Sequence, residues 1–253
     1  AYYPESAIPG CLVNAIYKVC AMHTAQGWQL MNYFDAIKGL YKQHTLGRID
    51  FYIGNGVVVD KKRMKESANF VESFLDKYNL DYNNRITYLT AGSIDECSAM
   101  VGLSYTPMRT HKKYAGRAMG NIILSTRLNH IHEVVHAIML PLFPSAPLFL
   151  HEGIASYYGG MAEQPYKSVK SIARAYVEKE KVDFSNKESL AVSLGNDIQL
   201  FNVVGAAIIE YALQQGGESE VIRLFSAANY DQVFELLGVA NSQRANFIRG
   251  LFN

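Results

Sequence analysis

The spacing of apolar residues changes along the chain, and each change marks an element. Leu30, Phe34, Ile37 and Tyr41 recur three to four residues apart, the spacing of one helix face. Residues 1–46 are therefore expected to form a helical N-terminal segment closed by Gly47. The period then shortens to two. Arg48-Ile49-Asp50-Phe51-Tyr52-Ile53 alternates like a half-buried strand and ends at Gly54-Asn55-Gly56. Asp60 stands at an N-cap position ahead of the stripe Met64, Ala68, Val71, Leu75 and Tyr78. Arg85-Ile86-Thr87-Tyr88-Leu89-Thr90 and Asn121-Ile122-Ile123-Leu124-Ser125 read as two more strands. After Ser125 strand signals fade. Leu128, Ile131, Val135, Ile138 and Leu142 share a helical face, and Pro141, Pro144 and Pro147 punctuate a loop before a short helix through Tyr158. Val169, Ile172, Ala173 and Tyr176 place a helix in 166–181. Ser185 and Glu188 form a capping-box pattern for another. Residues 200–215 form a helix ended by Gly216-Gly217, and three shorter helical stretches follow.

This order predicts an α+β fold in one compact domain. It divides into the helical segment 1–46, a sheet-bearing lobe over 47–125 and an all-helical lobe over 126–253. The 253 residues are enough to bury a core without disulfide staples. Composition then narrows the function classes. A net charge of +1 lacks the basic excess of a nucleic-acid binder. No stretch approaches the ~18 apolar residues of a membrane span. Cys11, Cys20 and Cys97 show no C-x-x-C spacing and read as buried small hydrophobes, a Cys11–Cys20 bridge requiring an oxidising compartment. The start Ala1-Tyr2-Tyr3-Pro4 reads as a processed one, which points to a removed export signal and a secreted, periplasmic or envelope location. The basic runs at Lys61-Lys62-Arg63 and His111-Lys112-Lys113 read as solvated faces.

The chemistry lies in His132-Glu133-Val134-Val135-His136, an H-E-x-x-H pattern. Residues four apart on a helix share a face, so both imidazoles can reach one ion. Zinc accepts neutral imidazole nitrogens, and Glu133 is placed to act as general base. Chance produces the pattern about 0.01 times in a chain of this composition.

A catalytic zinc needs a third protein ligand and an open position. Downstream, Leu150-His151-Glu152-Gly153-Ile154-Ala155-Ser156-Tyr157-Tyr158 supplies two candidates, Glu152 and His151. Adjacent helical residues point about 100° apart, so the two do not easily face one ion. H-E-x-x-H followed by E-G-x-A-x-Y resembles the gluzincin metallopeptidases, the group of thermolysin-like and aminopeptidase-N-like enzymes, and most of all small bacterial peptidases of that clan. The resemblance implies Glu152 as third ligand, one zinc per chain and a zincin-like two-lobed fold. It also implies hydrolysis of a peptide or protein substrate by a water activated at zinc, with Glu133 as base. It extends over about 50–250, with only 132–156 specific. Ser156, one turn after Glu152, is a candidate to hydrogen-bond a ligand, and His130 faces away from the pair.

Two stretches depart from the family. Where aminopeptidase-N-like enzymes carry an oxyanion-supporting Tyr, three or four residues before a Gly, this chain has Phe201 or Asn202 before Gly205. Losing an oxyanion donor costs about 100- to 1,000-fold, with Tyr105, Tyr157 and Tyr158 the candidate substitutes. Gly116-Arg117-Ala118-Met119-Gly120-Asn121 lacks the Glu of the aminopeptidase segment it superficially resembles. It reads instead as an edge strand open to an extended peptide. The alternative to a peptidase is a catalytically weak or inactive metal-stabilised domain that binds peptides or partners.

Overall fold

A computed structural model describes residues 15–105, 116–180, 184 and 188–253. Two short antiparallel ladders come first: β1 (Ile16–Tyr17) pairs with the later β7 (Leu103–Tyr105), and β2 (Val19–Thr24) with β3 (Gly27–Asn32). A single turn of helix, α1 (Tyr33–Ile37), leads to β4 (Lys42–Leu46). Helix is therefore the wrong assignment for most of 15–46, and residues 1–14 lie outside the described ones. The apolar residues there do not share one face: Phe34 is buried while Leu30 is 77% exposed. Gly27, at φ 101°, closes a tight turn in which Thr24 faces Gly27, and this turns the segment into a hairpin.

The central sheet has five strands in the order β4, β5 (Ile49–Ile53), β6 (Ile86–Thr90), β9 (Ile122–Ser125) and β8 (Gly116–Met119). The three middle strands are parallel, and β4 and β8 run antiparallel along the edges. Alternation assigns the faces. Ile49, Phe51, Ile53, Ile86, Tyr88 and Ile123 join the main core, while Tyr52, Leu89 and Leu124 pack with Cys97 and Met100 of α3 (Ile94–Met100) on the other side. Helix α2 (Lys61–Tyr78) starts where Asp60 accepts hydrogen bonds from the Lys62 and Arg63 amides, and its stripe Met64, Ala68, Val71, Leu75 and Tyr78 is buried.

Beyond β9 the described elements are helices: α4 (Ile131–Leu142), α5 (Leu148–Gly159), α6 (Tyr166–Lys179), α7 (Leu200–Leu224), α8 (Tyr230–Leu236) and α9 (Asn241–Gly250). Glu188 sits in a short 3-10 turn, 188–190, in place of the expected capped helix, and Ser185 lies outside the described residues. Gly217, at φ 66° and ψ −152°, breaks α7 where the Gly pair was expected to end it. Pro141 stands inside the last turn of α4, not in the loop. It has no N–H to offer the Ala137 carbonyl four residues back, and the Tyr82 hydroxyl donates to that carbonyl instead, at 3.2 Å. No helix among the described residues is long and apolar enough to cross a membrane. The chain is thus a mixed α/β protein with a mixed sheet, and α4 packs under β8 and β9.

Candidate metal centre

Two close helix contacts build the site. α5 ends against the start of α4 at Gly159, where a Cβ would lie 2.2 Å from the His132 amide nitrogen. α5 crosses α7 at Gly153 and Gly205, where a Cβ on Gly153 would lie 2.6 Å from the Gly205 carbonyl carbon. Only residues without a Cβ permit these approaches, and together they bring α4, α5 and α7 to one point.

His132, His136 and Glu152 meet there, with one potential ligand atom from each lying within 4.8 Å of the others. The two Nε2 atoms are 3.1 Å apart. Glu152 Oε2 lies 3.6 Å from His132 Nε2 and Oε1 3.5 Å from His136 Nε2. Ligands about 2.0–2.1 Å from a tetrahedral zinc stand about 3.3 Å from one another, so these spacings fit a single small cation. The tautomer fits as well. His132 Nδ1 is 3.0 Å from the Gly160 carbonyl, which can only accept, so Nδ1 carries a proton and Nε2 is the ring atom left to serve a cation, in the neutral form of the ring. Glu152 Oε2 in turn accepts from Asn202 Nδ2 of α7 at 2.8 Å.

Burial sets the charges. It pushes the His136 imidazole down to about 4, aided by the neighbouring His132, so His136 is neutral near pH 7. It also opposes charge on His132, but the Glu152 hydrogen bond and the Glu133 carboxylate outweigh it and raise that imidazole. Burial pushes Glu152 up, and the two imidazoles outweigh it and hold its carboxyl below the ordinary value. Glu133 is raised, chiefly by burial, with the nearby Glu152 charge adding to it. The His132 charge and an Ala118 backbone hydrogen bond work the other way. Glu133 thus lies against β8. Gly116 allows the strand to lie so low, because a Cβ there would come within 2.7 Å of Glu133 Cγ and 2.2 Å of His130 Nδ1.

The other candidates fall elsewhere. His151 Nε2 donates to the Phe143 carbonyl at 3.1 Å and its ring packs on Phe225, so it is a core residue outside the cluster. His130 is half-buried, with Nδ1 3.0 Å from Ser125 Oγ, and burial pushes it down to about 3. The expected ligand-bonding role of Ser156 is not seen: its buried hydroxyl has no partner among the described residues. Tyr158 pairs hydroxyl to hydroxyl with Tyr78 at 2.9 Å, and Tyr157 packs on Tyr158 and Tyr166. The Tyr105 side chain, Cys11 and 111–113 lie outside the described residues.

No family model and no curated protein matches the chain. The site's chemistry is carried by its geometry. Asn202, Gly160 and Ala118 were not picked out by sequence reasoning as site groups. Two of the three act through backbone atoms, which leave no residue-type signature. Asn202 was singled out only for its place three residues before Gly205, as a departure from a family Tyr, and not as a partner of Glu152.

Proposed function

We propose that the protein is a zinc-dependent peptide hydrolase of gluzincin type with a zincin-like two-lobed fold. The observation that carries this reading is the convergence of His132, His136 and Glu152 beside Glu133, with spacings that fit a tetrahedral cation. When bound, zinc supplies a Lewis acid that polarises a carbonyl and makes water a nucleophile at neutral pH. The chain's own groups do the rest. His136 is neutral near pH 7, and both imidazoles would offer Nε2 to the cation, His132 giving up its Nε2 proton on binding. Glu152 supplies the negative charge that balances part of the cation's charge. Glu133, buried and raised, takes the proton of the attacking water and later delivers it to the leaving amine. β8 is an edge strand of the central sheet among the described residues and lies directly above Glu133, and its outer backbone edge would offer hydrogen bonds to an extended peptide.

The test is digestion of a peptide library by wild-type protein, by wild-type protein with a chelator, and by Glu133→Gln. The expected result is chelator-sensitive cleavage, about one zinc per chain in both proteins, and a rate at least 100-fold lower in the variant. Cleavage retained by Glu133→Gln would overturn the mechanism. A second reading, a metal-stabilised domain that binds peptides without cutting them, is favoured by one observation. Neither Phe201 nor Asn202 brings a phenol to the centre, and Asn202 bonds Glu152. Zinc retention with no cleavage by wild-type protein selects that reading.

A further inference from the structure

We infer that Asn202 is a positioning residue for the metal centre, holding the Glu152 carboxylate in the orientation that binds zinc. The inference rests on the reading of His132, His136 and Glu152 as a zinc site. Three observations carry it. Asn202 Nδ2 donates to Glu152 Oε2 at 2.8 Å, while Oε1 of the same carboxylate faces His136 Nε2 at 3.5 Å. The amide thus pins one oxygen and fixes the rotation of the carboxylate about its last bond. Second, the bond is set by the helix crossing. Glu152 immediately precedes Gly153 and Asn202 lies three residues before Gly205, and those two glycines are in backbone contact. An Asn side chain is short, so it spans the gap only because the helices touch. Third, both imidazoles already have their geometry restricted by other means. His132 is tied to the Gly160 carbonyl and His136 is enclosed in the core. Glu152 is the ligand with the most rotational freedom, and Asn202 is the side chain that removes it.

A carboxylate that accepts a hydrogen bond at one oxygen pays less ordering entropy when it binds a metal. Loss of such a partner lowers metal affinity about 10- to 100-fold. The full chain is therefore stripped of metal and titrated with zinc against a competing chelator, as wild type, Asn202→Ala, Asn202→Leu and Phe201→Ala. The Leu variant keeps the branched shape of Asn but has no donor and adds no charge beside Glu152, so it separates the hydrogen bond from the packing of α7. Phe201, the neighbour of Asn202 on α7 whose ring packs on Phe149, reports the cost of disturbing α7 packing. Cobalt(II) replaces zinc in a second series, read by its visible absorption spectrum.

The expected result is an affinity loss of about 10- to 100-fold in both Asn202 variants, with an altered cobalt spectrum. The metal-free Asn202→Leu protein should melt near the wild-type temperature, and Phe201→Ala should melt earlier yet keep its zinc affinity. Wild-type affinity and an unchanged cobalt spectrum in the Asn202 variants would overturn the inference and leave the zinc reading intact. An equal affinity loss in Phe201→Ala would overturn it too, by assigning the effect to packing. Failure of the wild-type chain to bind zinc or cobalt at all would overturn both.

Discussion

Two adjacent side chains on α5 have opposite fates, and that contrast defines the centre. Glu152 turns toward α4, and His151 turns into the core, where Phe143 and Phe225 hold it. Replacing Glu152 with Ala should abolish tight zinc binding, an effect beyond the roughly 10- to 100-fold expected for an outer partner. Replacing His151 with Ala should leave zinc affinity at the wild-type level and cost stability. The cost is about 1–3 kcal/mol, from the lost hydrogen bond to the Phe143 carbonyl, which keeps only the Ala146 amide as donor, and the lost packing on Phe225. Zinc competition and chemical denaturation on the two variants read these separately; the reverse pattern would place His151 in the centre. Sequence spacing brought His132 and His136 to one face because four residues make about one helical turn. It left the choice between His151 and Glu152 open, since that depends on how α5 is rotated against α4 and α7. Gly159 and Gly153 set the rotation through contacts with partners 27 and 52 positions away in the chain.

At the level of elements, patterns were legible where one face is buried and the other is wet. The stripe of α2 and the alternation of β5 and β6 are of that kind. The stretch 15–46 was misread because the hairpin of β2 and β3 leaves Val19, Trp28 and Leu30 exposed, so its apolar residues report no inward face. Pro141 was read as a loop signal because a proline inside a helix costs a hydrogen bond. The structure offsets that cost through Tyr82, which follows α2 and reaches the Ala137 carbonyl. The two residues should therefore be coupled. Tyr82→Phe should destabilise the protein by about 1–3 kcal/mol, because a buried carbonyl is left unpaired. In a Pro141→Ala background the new amide can serve that carbonyl, so the same change should cost less. A double-mutant cycle by urea denaturation measures the difference, and strict additivity would show that the carbonyl finds another donor.

The whole molecule places this cluster between a sheet and a helical layer that share one core, so its stability depends on groups far from His132, His136 and Glu152. Tyr82 donates into α4 from beneath the site, and Cys97 lies on the opposite face of the sheet with Sγ 3.4 Å from the Ser125 carbonyl. Burial pushes both the Tyr82 phenol and the Cys97 thiol up to about 12. In the unfolded chain they ionise near 10 and 8.5. Above those values the unfolded state loses protons that the folded state keeps, so stability falls as pH rises. Below about pH 8 both groups are protonated in both states, and their contribution is constant. Each group removes up to about 1.4 kcal/mol per pH unit between its unfolded and folded values. Denaturation of wild type and Tyr82→Phe at pH 7, 9, 10 and 11 isolates one of them. The stability difference should stay constant to about pH 9 and shrink by about 1 kcal/mol by pH 11, as the wild-type protein loses the benefit of a phenol held protonated. A difference that stays constant to pH 11 would mean that Tyr82 ionises as freely in the folded protein as in the unfolded chain, and that the layer between sheet and α4 admits water.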